Sequence, residues 1–301
     1  MKAIHFRTIR ATVGLLLLLS FLSPVSGQQV ETYQFAERDT CVLRLDVYQP
    51  TAEVRKDICV IYVFGGGFVG GSRTDKVNVR FFREMVARGY TVVAIDYRLG
   101  LKHVKLSLFH LKPGFQAPVL ASEDLISATE FILANKERLH INPQRIVLIG
   151  SSAGAITVLH TDYELANRTE MVSKLPPDFR YAGVVSLAGA ILSTKGSPRY
   201  AREPAPTLFY HGTKDKIVIY NKFAFFRKGM YGTKFLVKRF EKHHYPFMAV
   251  RYQGMKHQVA SFPRFEAQDQ LCDFIDCAAD GRYTNELDIT IRNKELQQKY
   301  K

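Results

Sequence analysis

Seven consecutive apolar residues at 58–64, Ile-Cys-Val-Ile-Tyr-Val-Phe, predict a strand buried on both faces. Glycines follow at once, at positions 65, 66, 67, 70 and 71. Val77, Phe81, Phe82, Met85 and Val86 then recur at helical spacing, and Gly89 stands where a helix commonly ends. A further strand run occupies 91–95. Strand, glycine loop, helix and strand in that order imply parallel strands joined by a crossover helix.

The rest of the chain continues the alternation. Residues 28–57 have partial strand character, ended by Pro50. Residues 99–120, with Pro113, Gly114 and Pro118, read as an irregular excursion facing substrate. Ser122, Glu123 and Asp124 read as the cap and first-turn acids of a helix that continues through Leu125, Ala128 and Ile132. Strands are expected at 145–149, 181–188 and 207–210, with the last at 248–252. Helices are expected after Gly154, at 223–227 and over 265–277. Residues 189–206 read as a loop or small lid, and the polar tail 280–301 receives no element. With no repeat and no linker, residues 28–301 read as a single α/β domain, a mostly parallel sheet with helices on both faces.

Composition changes this picture chiefly at the N-terminus. The chain of 301 residues is 47% hydrophobic, enough to bury a core. Residues 1–27 carry Lys2, Arg7 and Arg10, then an apolar run at 13–22, then small residues up to Gly27. This is the pattern of a secretory signal peptide, and the run is shorter than the ~20 residues of a spanning helix. The reading places the mature chain outside the cytoplasm, secreted or periplasmic, with no stable membrane span after cleavage. Loss of those three basic residues lowers the formal net charge from +14 to +11. The remaining cations are scattered without a nucleic-acid motif, so no nucleic-acid partner is expected. Of the four cysteines, Cys59 lies in the apolar run and reads as a small buried residue. Cys272 and Cys277 could pair only if their helix ended between them, the pairing of Cys41 is left open, and no spacing suggests a metal site.

The candidate chemistry starts at Gly150-Ser151-Ser152-Ala153-Gly154, between a strand run and a helix. The G-x-S-x-G pattern places a nucleophile on a tight strand-to-helix turn, where flanking side chains would clash. Ser152 is therefore the candidate nucleophile. The helix behind it directs partial positive charge toward a developing oxyanion. Upstream, Gly65-Gly66-Gly67-Phe68 lets backbone N–H groups approach that oxyanion closely. One donor is expected from Gly66 or Gly67 and the other from Ala153. A nucleotide-phosphate loop would need a glycine pattern absent from this stretch.

Asp215 follows the strand run at 207–210 and can accept from a histidine ring, while His211 reads as structural. His257, just after the run at 248–252, is the candidate general base. His243 and His244 fall in a charged stretch, His160 lies beyond the serine, and His103 and His110 lie in the irregular excursion. Ser152, Asp215 and His257 occur in the chain order of one well-known triad arrangement.

On these motifs, with Asp96-Tyr97-Arg98-Leu99 and Asn142-Pro143-Gln144-Arg145-Ile146, the chain resembles the α/β-hydrolase superfamily from about 46 to 277. It looks closest to the esterase/lipase branch related to hormone-sensitive lipase and the carboxylesterases. The resemblance implies Gly66, Gly67 and Ala153 as oxyanion donors and the triad above, with no metal or cofactor. Two positions depart from the family pattern: Phe64 where a histidine often precedes the glycines, and Ser151 where an acid often precedes the nucleophile. The implied activity is hydrolysis of a carboxylic ester. The substrate is expected to be a small molecule or, on the ground of export alone, a glycan carrying an acetyl or feruloyl group. A prolyl-oligopeptidase-like peptidase and a catalytically silent binding protein share the scaffold, and ester against amide turnover or active-serine labelling separates them.

Overall fold

The computed structural model describes residues 30–39, 41–105 and 110–301; the segment read as a signal peptide lies outside them. Strands β1 (Val30–Arg38) and β2 (Cys41–Tyr48) pair antiparallel, where only partial strand character was expected. The two buried runs form β3 (Cys59–Val63) and β4 (Thr91–Ile95), with every residue of both buried. Between them, α1 (Lys76–Ala87) turns Phe81, Phe82, Met85 and Val86 inward, but leaves Val77 exposed and buries Asn78 instead. Gly89, at φ +94°, closes this helix as expected.

The next helix, α2 (Lys112–Ala134), corrects the expectation of an irregular segment up to residue 120. It begins ten residues before Ser122, with Pro113 in its first turn, where a missing N–H costs nothing. Pro118 lies inside the helix, where its missing N–H leaves the Gly114 carbonyl without its i+4 donor. Ser122 is thus buried mid-helix. Asp124 is no dipole acid: it is buried and takes hydrogen bonds from Arg38 and Arg98. A short helix α3 (Lys136–Leu139) and a 3-10 turn at Pro143–Arg145 then lead into β5 (Ile146–Ser151).

Helix α4 (Ala153–Ala166) starts directly behind Ser152 and is followed by β6 (Gly183–Leu187) and β8 (Thr207–Gly212) of the main sheet. The stretch read as loop or lid contains β7 (Ala190–Ser193). The stretch read as a helix at 223–227 is a strand, β9 (Lys222–Phe225), hairpinned to β10 (Lys228–Gly232). Phe223 and Phe225 stand two apart, the period of a strand, and their neighbours show no apolar helix face. The helix comes later as α5 (Thr233–His243), burying Leu236, Val237 and Phe240.

Strand β11 (Phe247–Tyr252) is not the last, contrary to the expectation from its sequence. After α6 (Pro263–Glu266) and α7 (Gln268–Ala279), the tail forms β12 (Glu286–Ile291), parallel to β11, and α8 (Lys294–Lys299). Glu-Leu-Asp-Ile-Thr-Ile is a clean period-two pattern that its overall polarity concealed. Because α7 runs unbroken through Cys272 and Cys277, those two thiols are not bonded to each other.

The main sheet has the order β1-β2-β4-β3-β5-β6-β8-β11-β12. It is parallel from β4 to β12 and antiparallel at β1 and β2, and the core lies along it. A smaller sheet, β7-β10-β9, stands beside it. The chain has the α/β-hydrolase fold.

Candidate active site

Three strand ends along one edge of the sheet build the site, those of β5, β8 and β11, with β6 between the first two. Ser152 follows β5, Asp215 lies three residues beyond β8, and His257 lies five beyond β11, all at carboxyl ends of parallel strands. This is the edge where open α/β sheets hold ligands. A cavity of about 1120 Å³ lies elsewhere: residues such as Arg145, Tyr181 and Pro206 line it at the strands' opposite, amino ends.

Ser152 has φ +52° and ψ −113°, a conformation strained for a residue with a side chain. Its surroundings enforce the strain. The Ser152 N–H donates to the Leu187 carbonyl at 2.9 Å, and its carbonyl accepts from the Ile156 N–H at 2.9 Å. The flanking glycines are needed for space, because a Cβ on Gly150 would come 2.2 Å from the Gly154 carbonyl oxygen and one on Gly154 would come 2.0 Å from that of Val63.

The Ser152 hydroxyl is 2.8 Å from His257 Nε2, and His257 Nδ1 is 2.7 Å from Asp215 Oδ2. The three side chains singled out in the sequence thus form one hydrogen-bonded chain. Asp215 is buried, and its other oxygen accepts the N–H groups of Ile217 at 2.9 Å and Val218 at 3.2 Å. Burial works to raise this carboxyl, but hydrogen bonds and charge from His211 and His257 outweigh it and hold it far below the usual carboxylate range. It stays ionised, able to accept the Nδ1 proton of His257 and leave Nε2 free to accept from the serine.

His211 is fully buried, as a structural histidine should be. Its Nε2 donates to the Val218 carbonyl at 3.0 Å and lies 3.4 Å from Asp215 Oδ2, while Nδ1 meets the Thr233 hydroxyl at 2.8 Å. It pins the loop that carries the acid. His160 lies within α4, and its Nε2 accepts the Leu192 N–H at 2.8 Å; burial pushes it down to about 4, so it is neutral near pH 7. His103, His110, His243 and His244 are exposed.

The glycine loop packs against the elbow: a Cβ on Gly65 would come 2.9 Å from the Ser151 carbonyl oxygen and 3.3 Å from Ser152 Cβ. Gly66 and Gly67 take φ +126° and +63°, which suits glycine. The Gly66 carbonyl accepts from Val69 and Gly70, folding the loop into a tight turn. The Ala153 N–H lies in the first turn of α4, where no intrahelical acceptor exists.

Phe64, at the position where the family often has histidine, stacks on Tyr97 at 4.4 Å, and the Tyr97 hydroxyl donates to the Phe64 carbonyl at 2.9 Å. Two supports went unseen in the sequence. The Ser151 hydroxyl donates to the Ala260 carbonyl at 2.7 Å, tying the elbow to the turn that carries His257. Arg264, a buried cation, donates to the Tyr62 hydroxyl and, at 2.9 Å, to Asn78 Oδ1. Both join residues far apart in the chain and leave no local pattern.

The fold is that of the α/β-hydrolases, and the proteins that the chain resembles include esterases. The profile of the BD-FAE family matches residues 45–190. Ethyl acetate hydrolase of Pseudomonas putida is 26% identical over 138 residues, covering 45% of this chain and 39% of that protein. Acetylcholinesterase of Myxine glutinosa is 33% identical over 111 residues, covering 36% of this chain and 31% of that protein. The matches thus span well under half of those relatives. Among solved structures, apo Thermogutta terrifontis esterase 2 superposes with a TM-score of 0.60 at 20% identity, covering 89% of this chain and all of that one. Its butyrate-bound form gives 0.58 at 19% identity, covering 86% and 96%.

Proposed function

We propose that this protein is a serine carboxylesterase with Ser152 as nucleophile, His257 as general base and acid, and Asp215 as the residue that orients the ring. The observation carrying the proposal is the Ser152–His257–Asp215 chain at 2.8 and 2.7 Å. Ser152 Oγ attacks the acyl carbon as its proton passes to His257 Nε2. The oxyanion is received by the N–H of Ala153 and that of Gly66 or Gly67. The imidazolium then protonates the departing alcohol, and the acyl-enzyme is hydrolysed by a water that His257 activates.

The relatives' names, ethyl acetate hydrolase and a butyrate-bound esterase, support a small-molecule ester as substrate. The charged pattern of residues 1–27 supports export, with Gln28 as the first residue of the mature chain. N-terminal sequencing of the protein recovered outside the cytoplasm tests that reading.

A p-nitrophenyl acyl series with wild type and Ser152→Ala tests the activity. Wild type turns over esters and is labelled by a fluorophosphonate, and the variant loses about 10⁴-fold or more in kcat with no labelling. Wild-type rates in Ser152→Ala would overturn the assignment, and faster turnover of matched anilides than of esters would favour a peptidase.

A further inference from the structure

The small β7-β10-β9 sheet grows from the catalytic end of the molecule, since β7 follows the carboxyl end of β6 and the β9–β10 hairpin follows Asp215. Its outer hairpin is unusual for a solvent-facing element. Phe223 and Phe225 are each 72% exposed, Phe226 is 90% exposed, and Ile217 beside Asp215 is 70% exposed. Contiguous exposure of large apolar side chains marks an interaction surface. The hairpin turn is the two residues Phe226 and Arg227, and Phe226 takes φ +51°. Asn or Gly fills such a position without strain, whereas here the strained backbone displays an aromatic ring at the tip.

Charge indicates what covers this surface. Residues 214–239 hold eight Lys or Arg and one acid, Asp215, which is buried and already engaged. Lys222, Arg227 and Lys228 surround the phenylalanines, and all three are exposed. A second copy of the chain could add to the free edge of β9, but that edge is four residues long, and pairing would bring these cations against their own kind. An anionic lipid surface meets both features: rings enter the headgroup–acyl boundary while the cations meet phosphates.

We propose that the β9–β10 hairpin is a peripheral docking site for an anionic phospholipid surface, which turns the catalytic end of the molecule toward that surface. The proposal concerns binding and does not depend on ester hydrolysis. The test is co-sedimentation of the full chain with vesicles of phosphatidylcholine mixed with phosphatidylglycerol, and with vesicles of phosphatidylcholine alone. The protein sediments with the mixed vesicles, is released by high salt, and binds the neutral vesicles roughly tenfold more weakly or less. Phe225→Ser/Phe226→Ser and, separately, Lys222→Gln/Arg227→Gln/Lys228→Gln each weaken binding to the mixed vesicles by about tenfold, with circular dichroism and Tm showing that both variants fold. Failure to sediment with mixed vesicles, or undiminished binding by both folded variants, overturns the proposal. So does a dimer that the phenylalanine changes convert to monomer in a protein that ignores vesicles, or retention by an acidic polypeptide without retention by vesicles.

Discussion

The hydroxyl of Ser151 donates to the carbonyl of Ala260 at 2.7 Å, joining residues 109 positions apart. Ser151 precedes the nucleophile, and Ala260 ends the 3-10 turn that begins at His257. The bond holds the serine and the histidine in register.

Ser151→Ala leaves the Ala260 carbonyl buried without this donor. The expected cost is about 1–3 kcal/mol in urea unfolding. Freed from the elbow, the His257 turn should lower kcat more than it changes KM for a p-nitrophenyl ester, while Ser151→Thr restores part of the loss. Unchanged kcat in a folded Ser151→Ala would show that the bond does not position the histidine.

Asp215→Asn tests the acid. An amide can present its own N–H to His257 Nδ1, favouring the tautomer with its proton on Nε2, where the serine needs an acceptor. A fall in kcat of about 10³- to 10⁴-fold is expected by analogy with such triads. The same carboxyl shapes acid stability. Its native pKa lies below its unfolded value of 3.8, so the unfolded state binds more protons in between. Its stabilisation is complete above that unfolded value and is lost as pH falls toward the native one. Urea midpoints measured from pH 6 downward should drop more steeply in wild type than in Asp215→Asn.

Asp162 behaves in the opposite sense. Burial pushes its carboxyl up to about 7, partly offset by the Ala205 N–H and the charge of Arg180. The native state therefore holds the proton more tightly than the unfolded chain, whose value is 3.8. This favourable term is complete below pH 3.8 and is lost as pH rises through about 7. Asp162→Asn keeps an oxygen for the Ala205 N–H and removes the ionisation. At pH 8 it should unfold at a higher urea midpoint than wild type, a gain of up to about 4 kcal/mol, and the difference should vanish near pH 4. Parallel pH profiles for the two proteins would refute this account.

Two glycines separate space from backbone conformation. Gly154→Ala would place a Cβ 2.0 Å from the Val63 carbonyl oxygen, so misfolding or a loss of more than about 4 kcal/mol is expected. Gly196 has φ +94° but nothing within 4 Å of its Cβ position, so Gly196→Ala should cost only about 1–2 kcal/mol of backbone strain. Similar thermal shifts in both variants would contradict the packing argument at the elbow.

The legible parts of this chain were those whose physics is local. Residues 58–64 and 91–95 are apolar throughout because both faces of their strands are buried, and the alternation of strand and helix dictated a parallel sheet. The elbow was readable because Gly150 and Gly154 answer to clashes within a few residues of Ser152 and with the adjoining strand. Asp215 and His257 were readable because each follows a strand, and parallel strands bring their carboxyl ends to one edge.

Misreadings arose where the deciding partner was distant. Asp124 resembles a first-turn acid until Arg38 and Arg98 meet it inside a longer helix. The tail at 286–291 looks polar until β11 supplies its neighbour. The segment 223–226 is a different case, since the two-residue spacing of Phe223 and Phe225 already carries the period of a strand and its partner β10 follows directly. Which residues prefer burial, where the backbone must turn tightly and which side chains can perform acyl chemistry are legible in the chain alone, since these depend on residue type and near neighbours. The meeting of Asp124 with Arg38 and Arg98, the addition of β12 beside β11 and the fastening of the His257 turn by Ser151 were settled in three dimensions, because contacts between residues 26 to 109 positions apart leave no periodicity in the chain.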